Sequence, residues 1–231
     1  RIWPYQLPNM DPETLARLVF CFENHPERED GIISGAQDSI GICVPGLCRH
    51  YYDNHFWPDK IETCEDENIL QWLENHLCMI PMEPRRPGCS VVEGMDITKE
   101  KVVALTKAAD DCWNAILNTD LESFAKSYKA SFNAQVAMFP AMIQGCVQEY
   151  IDKYSVMEDV LAWKMPGAGG GGYLACVVKD ANEFCEKNNE SIKLKISRDV
   201  LFKKGLCLPS GPCVSDDDVR YIVKCIVESL I

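Results

Sequence analysis

The sequence predicts an α+β fold. Apolar residues recur at helical spacing in several stretches, and two runs, "YLACVV" and "SIKLKIS", read as strands. Helices and strands do not alternate in regular βαβ order, which a doubly wound parallel sheet would require.

Taken in order, "PETLARLVFCFEN" (12–24) places Leu15, Leu18, Val19 and Phe22 on one helical face. Residues 25–53 mix turn formers with short apolar runs, which predicts a loop, a short helix and a hairpin. A helix over about 66–77 follows from Ile69, Trp72, Leu73 and Leu77 sharing a face. Pro81, Pro84 and Pro87 then interrupt the chain, and "SVVEG" (90–94) reads as a strand. Thr98 is placed to cap a long helix whose inner stripe is Val102, Leu105, Ala109, Trp113 and Ile116. The next helix carries Leu121, Phe124, Tyr128 and Phe132, and Pro140 is placed to open a third through "AMIQGCVQEYIDKY". "YLACVV" then reads as a buried strand, "DANEFCEKN" as a short helix or turn, and "SIKLKIS" as a strand with one exposed face. Ser215, followed by three aspartates, caps a final helix.

Composition bounds the function. A net charge of -12 and a pI near 4.8 argue against nucleic acid or an anionic membrane as the main partner. No apolar run approaches the roughly 20 residues that a membrane span needs. The 13 cysteines are scattered with no CxxC pair, and neither Cys43/Cys48 nor Cys207/Cys213 has further ligands at zinc spacing. Reduced thiols in a cytoplasmic protein are the expectation, with no metal site. The chain starts at Arg1 rather than Met, so an upstream portion is expected.

The densest chemical signal is "KMPGAGGGGYLACVV", Lys164 to Val178. Glycines let backbone amides approach a phosphate closely and tolerate the positive φ angles that an anion nest uses. No Gly-Lys-Ser/Thr follows, and the strand comes after the glycines, so this is neither a P-loop nor a dinucleotide-binding fingerprint. On pattern alone a functional loop and a structural turn both stay open. His50, Asp53 and His55 suggest a metal only weakly, and surface histidines are the simpler reading. Arg85 and Arg86 in "EPRRP" have the charge to bind an anion, but a solvated turn is the better account.

The segment Lys164–Tyr173 resembles the third sequence motif of the GHMP kinases, the family of galactokinase, homoserine kinase and mevalonate kinase. The usual form is Lys, an aliphatic, Ser or Thr, then GAGGGG; Pro166 departs from it by removing both a hydroxyl and a backbone donor. "GIISGAQDSIGICVPGL" (31–47) resembles the segment that carries the catalytic aspartate in galactokinase-like and heptose-kinase-like members, and "CWNAILNTDLESFAKSYKASFNAQVAMFP" resembles the first helices of the family's C-terminal domain. The likeness spans about residues 10–198. It implies a partial N-terminal lobe (1–95), a ferredoxin-like C-terminal domain (96–198) and a C-terminal helical extension (199–231).

The resemblance also implies chemistry. ATP and magnesium would be the cofactors, and a small-molecule sugar the acceptor. Asp38 would accept the proton of a sugar hydroxyl, with Ser34, Gly35 and Gln37 lining the substrate side. Residue pattern alone permits Asp38 equally well as a turn or N-cap aspartate. The amides of Gly167, Ala168, Gly169, Gly170, Gly171 and Gly172 would brace the phosphate side, and Lys164 could add charge. The family's ATP-binding loop at a helix N-terminus has no counterpart before residue 12. A crippled or non-catalytic chain, exposing an apolar patch and self-associating or pairing with another chain, is therefore the contrasting expectation. The tail, Ser197–Ile226, weakly resembles the C-terminus of the pyridoxal-phosphate sugar aminotransferases, but it has no lysine site for that cofactor.

Overall fold

The computed structural model describes residues 10–25, 33–85, 90, 92–189 and 191–194. The expected tail helix and the aminotransferase-like segment lie outside these residues. The chain divides into two compact units, with the division after Glu62.

The first unit begins with α1 (Pro12–Glu23), opened by Pro12 in its first turn and capped by Asp11, whose carboxylate accepts from the Thr14 amide. After it come α2 (Gln37–Cys43) and the two strands β1 (Leu47–Tyr51) and β2 (Lys60–Cys64), which form a two-stranded sheet. The expected short helix and one strand fall within 25–53, but the partner strand lies beyond it at 60–64, and residues 26–32 of the expected loop lie outside the described residues. The core gathers Ala16, Ala36, Ile40, Cys43 and Val44, with Leu15, Val19, Phe20 and Trp57 against it. The buried face of α1 is therefore offset from the expected stripe. Leu18 is 51% exposed and Phe22 70%, because small Ala16 lets α2 approach closely on the other side.

The second unit is built on a four-stranded sheet in the order β4-β5-β3-β6. Helix α3 (Glu67–His76) runs straight into β3 (Leu77–Pro81), an element absent from the sequence reading. Helices α4 (Lys99–Leu117) and α5 (Leu121–Met138) follow and pack against each other. Then come α6 (Val147–Ser155), β4 (Val160–Lys164), β5 (Tyr173–Val178), α7 (Ala181–Lys187) and β6 (Ile192–Lys193). Strand β5 is central and antiparallel to both neighbours: Cys176 faces Cys78 of β3 on one side and Trp163 of β4 on the other. Residues 77–81 thus belong with the elements that follow them. The core joins Cys78, Ile80, Leu174, Cys176 and Val178 of the sheet to Ile151, Tyr154 and Phe184 of α6 and α7. A second aromatic seam runs from Trp72 of α3 to Phe124 and Tyr128 of α5.

Four expectations need correction. Val92–Gly94 form a turn, so "SVVEG" contributes no strand among the described residues. Pro140 opens only a short 3-10 turn, Pro140–Met142, because Gly145 adopts φ 61° before α6 begins. On α4, Val102 and Ala109 are exposed; the inner face runs through Leu105, Ala108, Cys112 and Ala115, where small side chains let α5 pack close. The glycine run joins two antiparallel strands, rather than following a helical segment, because "VLAWK" (160–164) is itself a strand.

Candidate functional site

The β4–β5 loop is held from three directions. Met165 is fully buried in the core at its entry. Gly170 donates its amide to Met142 O (2.9 Å), and Gly172 donates to Glu83 O (2.9 Å) while its own carbonyl accepts from the Met82 amide (2.8 Å). The segment after β3 and the turn at Pro140–Met142 therefore grip the loop through backbone hydrogen bonds.

The glycines answer a geometric need. Gly167, Gly169, Gly170, Gly171 and Gly172 all have positive φ, a region costly for side chains that carry a Cβ. A Cβ on Gly171 would lie 2.6 Å from Glu83 O and 2.7 Å from Arg85 N; one on Gly169 would lie 2.9 Å from Met142 Cβ. At Gly167 nothing lies within 4 Å. The loop thus has a packed half, 169–171, and an open half, Pro166–Ala168, which is exposed. Two of the six amides expected to brace a phosphate, those of Gly170 and Gly172, are already committed to backbone carbonyls. Those of Gly167 and Ala168, on exposed residues, have no hydrogen-bond partner among the described residues, so they remain available to an acceptor such as a phosphate oxygen.

Lys164, at the end of β4, is not solvated. It is partly buried and donates from Nζ to Ser131 Oγ of α5 at 2.6 Å, and burial holds its pKa below the usual lysine value. Its contact is structural, tying α5 to the sheet edge.

The other expected site residues sit at the entrance of α2. Asp38 and Gln37 are exposed in the first turn of that helix, where a carboxylate is favoured by the unpaired amides. Ser34 is fixed by Asn24: the Asn24 Oδ1 accepts from the Ser34 amide (2.8 Å), while Nδ2 donates to Phe20 O (2.9 Å). Gly35 leaves room for the Gln37 side chain, whose Oε1 would be 2.5 Å from a Cβ there. Ser34, Gly35, Gln37 and Asp38 therefore share one stretch, and the six loop residues share another.

Among the described residues no three His, Cys, Asp or Glu side chains are grouped to hold a metal ion. Magnesium in phosphoryl transfer needs no such cage, since substrate phosphates, water and one or two carboxylates suffice. His55 is exposed beside Asp59 (3.3 Å), and burial lowers the pKa of His50. The described cysteines are free thiols, and no described helix is long and apolar enough to cross a membrane.

Arg85, read from the sequence as part of a solvated turn and indeed exposed, and Gln144, not singled out there, both lie at the loop. Both side chains flank Gly170: a Cβ there would lie 3.1 Å from Arg85 Cδ and 3.5 Å from Gln144 Nε2. The paired arginines were the only signal for the first; nothing in the linear pattern places the second.

Comparison with solved structures finds the same architecture in a D-glycero-D-manno-heptose 1-phosphate kinase from Bacteriodes thetaiotaomicron, at 16% identity, covering 81% of this chain and 53% of that one, with a TM-score of 0.53. A mevalonate kinase matches at 16% identity, 79% and 55% coverage, and a TM-score of 0.53. The chain shares its fold with these two kinases. A mevalonate diphosphate decarboxylase from Staphylococcus aureus also shares it, at 13% identity, 79% and 57% coverage, and a TM-score of 0.50. At these identities the likeness concerns the fold alone. No family model matches the sequence, and no curated protein matches it. The chain spans little more than half the length of these solved chains, 53%, 55% and 57% in turn.

Proposed function

We propose that this chain is part of a cytoplasmic ATP-dependent sugar kinase of the GHMP type, acting on a hydroxyl of a hexose, deoxyhexose or heptose. The observation that carries the reading is the β4–β5 loop, whose open half offers the amides of Gly167 and Ala168 on a fold shared with small-molecule kinases. In the reaction the acceptor oxygen bonds to the γ-phosphorus, the bridging P–O bond breaks, and ADP leaves with the bonding electrons. Asp38 takes the hydroxyl proton late, as the new bond forms. Magnesium, when bound with ATP, supplies charge neutralisation on the phosphates. Ser34, Gly35 and Gln37 line the acceptor side in this reading, and the domain boundaries at 95 and 198 belong to it.

The test is ADP release from Mg-ATP across a panel of sugars, with Asp38→Ala alongside. Sugar-dependent turnover abolished by that substitution supports the proposal; turnover that survives it removes Asp38 from the chemistry.

A second reading, a non-catalytic kinase-fold protein that binds sugar or pairs with another chain, draws on the first unit's exposed apolar side chains. Phe56 is 63% exposed and Ile42 47%, beside Leu18. Concentration-dependent mass by light scattering, lost in Phe56→Ser, would favour it; a monomer at all concentrations counts against it.

A further inference from the structure

The surroundings of Gly170 hold more donor capacity than the fold uses. Arg85 lays its aliphatic stem over the loop, with Cδ and Cγ at 3.1 and 3.4 Å from the position of a Cβ on Gly170. Its guanidinium has no ion-pair partner among the described residues; Glu83, two positions earlier, spends its backbone carbonyl on Gly172 and forms no bridge to it. On the other flank, Gln144 Nε2 is a buried donor with no partner among the described residues. Buried donors in native proteins are almost always satisfied, so this one calls for an acceptor that the described residues do not supply. The uncommitted amides of Gly167 and Ala168, on exposed residues, belong to the same loop. Segments 82–85, 142–145 and 165–173 together contain one acid, Glu83, in a chain whose net charge is -12.

We propose that Arg85 and Gln144, with the loop amides, form an oxyanion site, and that the acceptor is an anionic sugar, either a sugar phosphate or a sugar acid, rather than a neutral one. The statement about the acceptor rests on the kinase reading; the site itself does not. A guanidinium presents two parallel N–H groups to a phosphate or carboxylate, a geometry that a lysine cannot reproduce. The Gln144 carboxamide adds a neutral donor that helps orient the anion without adding charge.

Calorimetric titration of the full chain with inorganic phosphate, hexose 6-phosphates, hexuronates, the parent hexoses and ADP tests it. Wild type is compared with Arg85→Ala, Arg85→Lys and Gln144→Leu, each checked for an unchanged melting curve. Inorganic phosphate should bind wild type and lose at least about 10-fold in affinity in Arg85→Ala, the loss of one charge-assisted contact. Arg85→Lys should recover part of that loss, and Gln144→Leu should weaken binding by less. At least one anionic sugar should bind about 10-fold or more tighter than its neutral parent. Equal phosphate binding by wild type and Arg85→Ala overturns the site. Neutral sugars binding as tightly as their anionic forms, or Arg85 dependence confined to ADP, overturns the anionic acceptor. Arg85-dependent binding of a sugar anion without any ADP release sinks the kinase reading and leaves the site standing. Turnover of neutral sugars indifferent to Arg85 does the reverse.

Discussion

The β4–β5 loop and the entrance of α2 carry the two halves of the proposed chemistry, and they are built in opposite ways. The loop is determined by packing: positive φ at five glycines, two committed amides, and backbone from residues 83–85 within contact of Gly171. The α2 entrance is determined by little more than Asn24 and the helix start, with Asp38 and Gln37 exposed. Substitutions in the loop should therefore register as lost stability before they register as lost function. At Asp38 the order should reverse.

The sharpest test is Gly171→Ala. Its Cβ would meet two backbone atoms, at 2.6 and 2.7 Å, on a φ of 147°, and backbone cannot step aside as a side chain does. A loss of about 3 kcal/mol in urea unfolding is expected. A stable Gly171→Ala would break the contrast between the two regions.

The sheet next to the loop adds a pH signature. Burial pushes the Cys176 thiol from 9.0 to about 12. The folded state keeps this proton while the unfolded chain releases it, so the stabilisation is whole below about pH 9 and is lost as pH rises toward 12. The slope is at most about 1.4 kcal/mol per pH unit. Under reducing conditions, Cys176→Ala should remove that part of the alkaline decline. An unchanged slope would mean that the thiol is reached by water.

Asn24→Ala should cost about 2 kcal/mol, since it deletes an acceptor for the Ser34 amide and a donor to Phe20 O. It is the one substitution at the α2 entrance expected to behave like a loop substitution. Gly167→Ala should cost only about 1 kcal/mol, the strain of φ 63° with open space around it. Asp38→Ala should stay within about 0.5 kcal/mol of wild type in denaturant melts and yet abolish turnover. A large stability loss there would make Asp38 a structural aspartate.

The same contrast explains what was legible in the sequence. Helices α1, α3, α4, α5 and α7 and strand β5 announce themselves through periodicity and caps such as Thr98, whose side chain accepts from Lys101 N. Strand β3 does not, because α3 passes into it at Leu77 with no turn residue between, and Pro81 reads as a breaker although it only ends the strand. Strand β4 is too short, and Trp163 and Lys164 blur its alternation. The offset faces of α1 and α4 share one cause: alanine and cysteine positions carry the close contacts, and periodicity scored on large apolar residues overlooks them. The glycine loop is visible as a motif, but the division of its amides into committed and open is a tertiary fact. So is the placement of Arg85 and Gln144, far apart in the chain, against the same residue, Gly170.

One consequence concerns transplantation. The backbone bonds joining Gly172 to Met82 and Glu83, and Gly170 to Met142, make three chain segments into a single interlocking part. A chimera that carried residues 165–172 alone into a host protein would leave the Gly170 and Gly172 amides without acceptors and the tight spot at Gly171 without the wall that shapes it. The smallest exchangeable cassette is the loop together with residues 82–85 and the turn ending at Met142, and any length change in one of these has to be matched in the others.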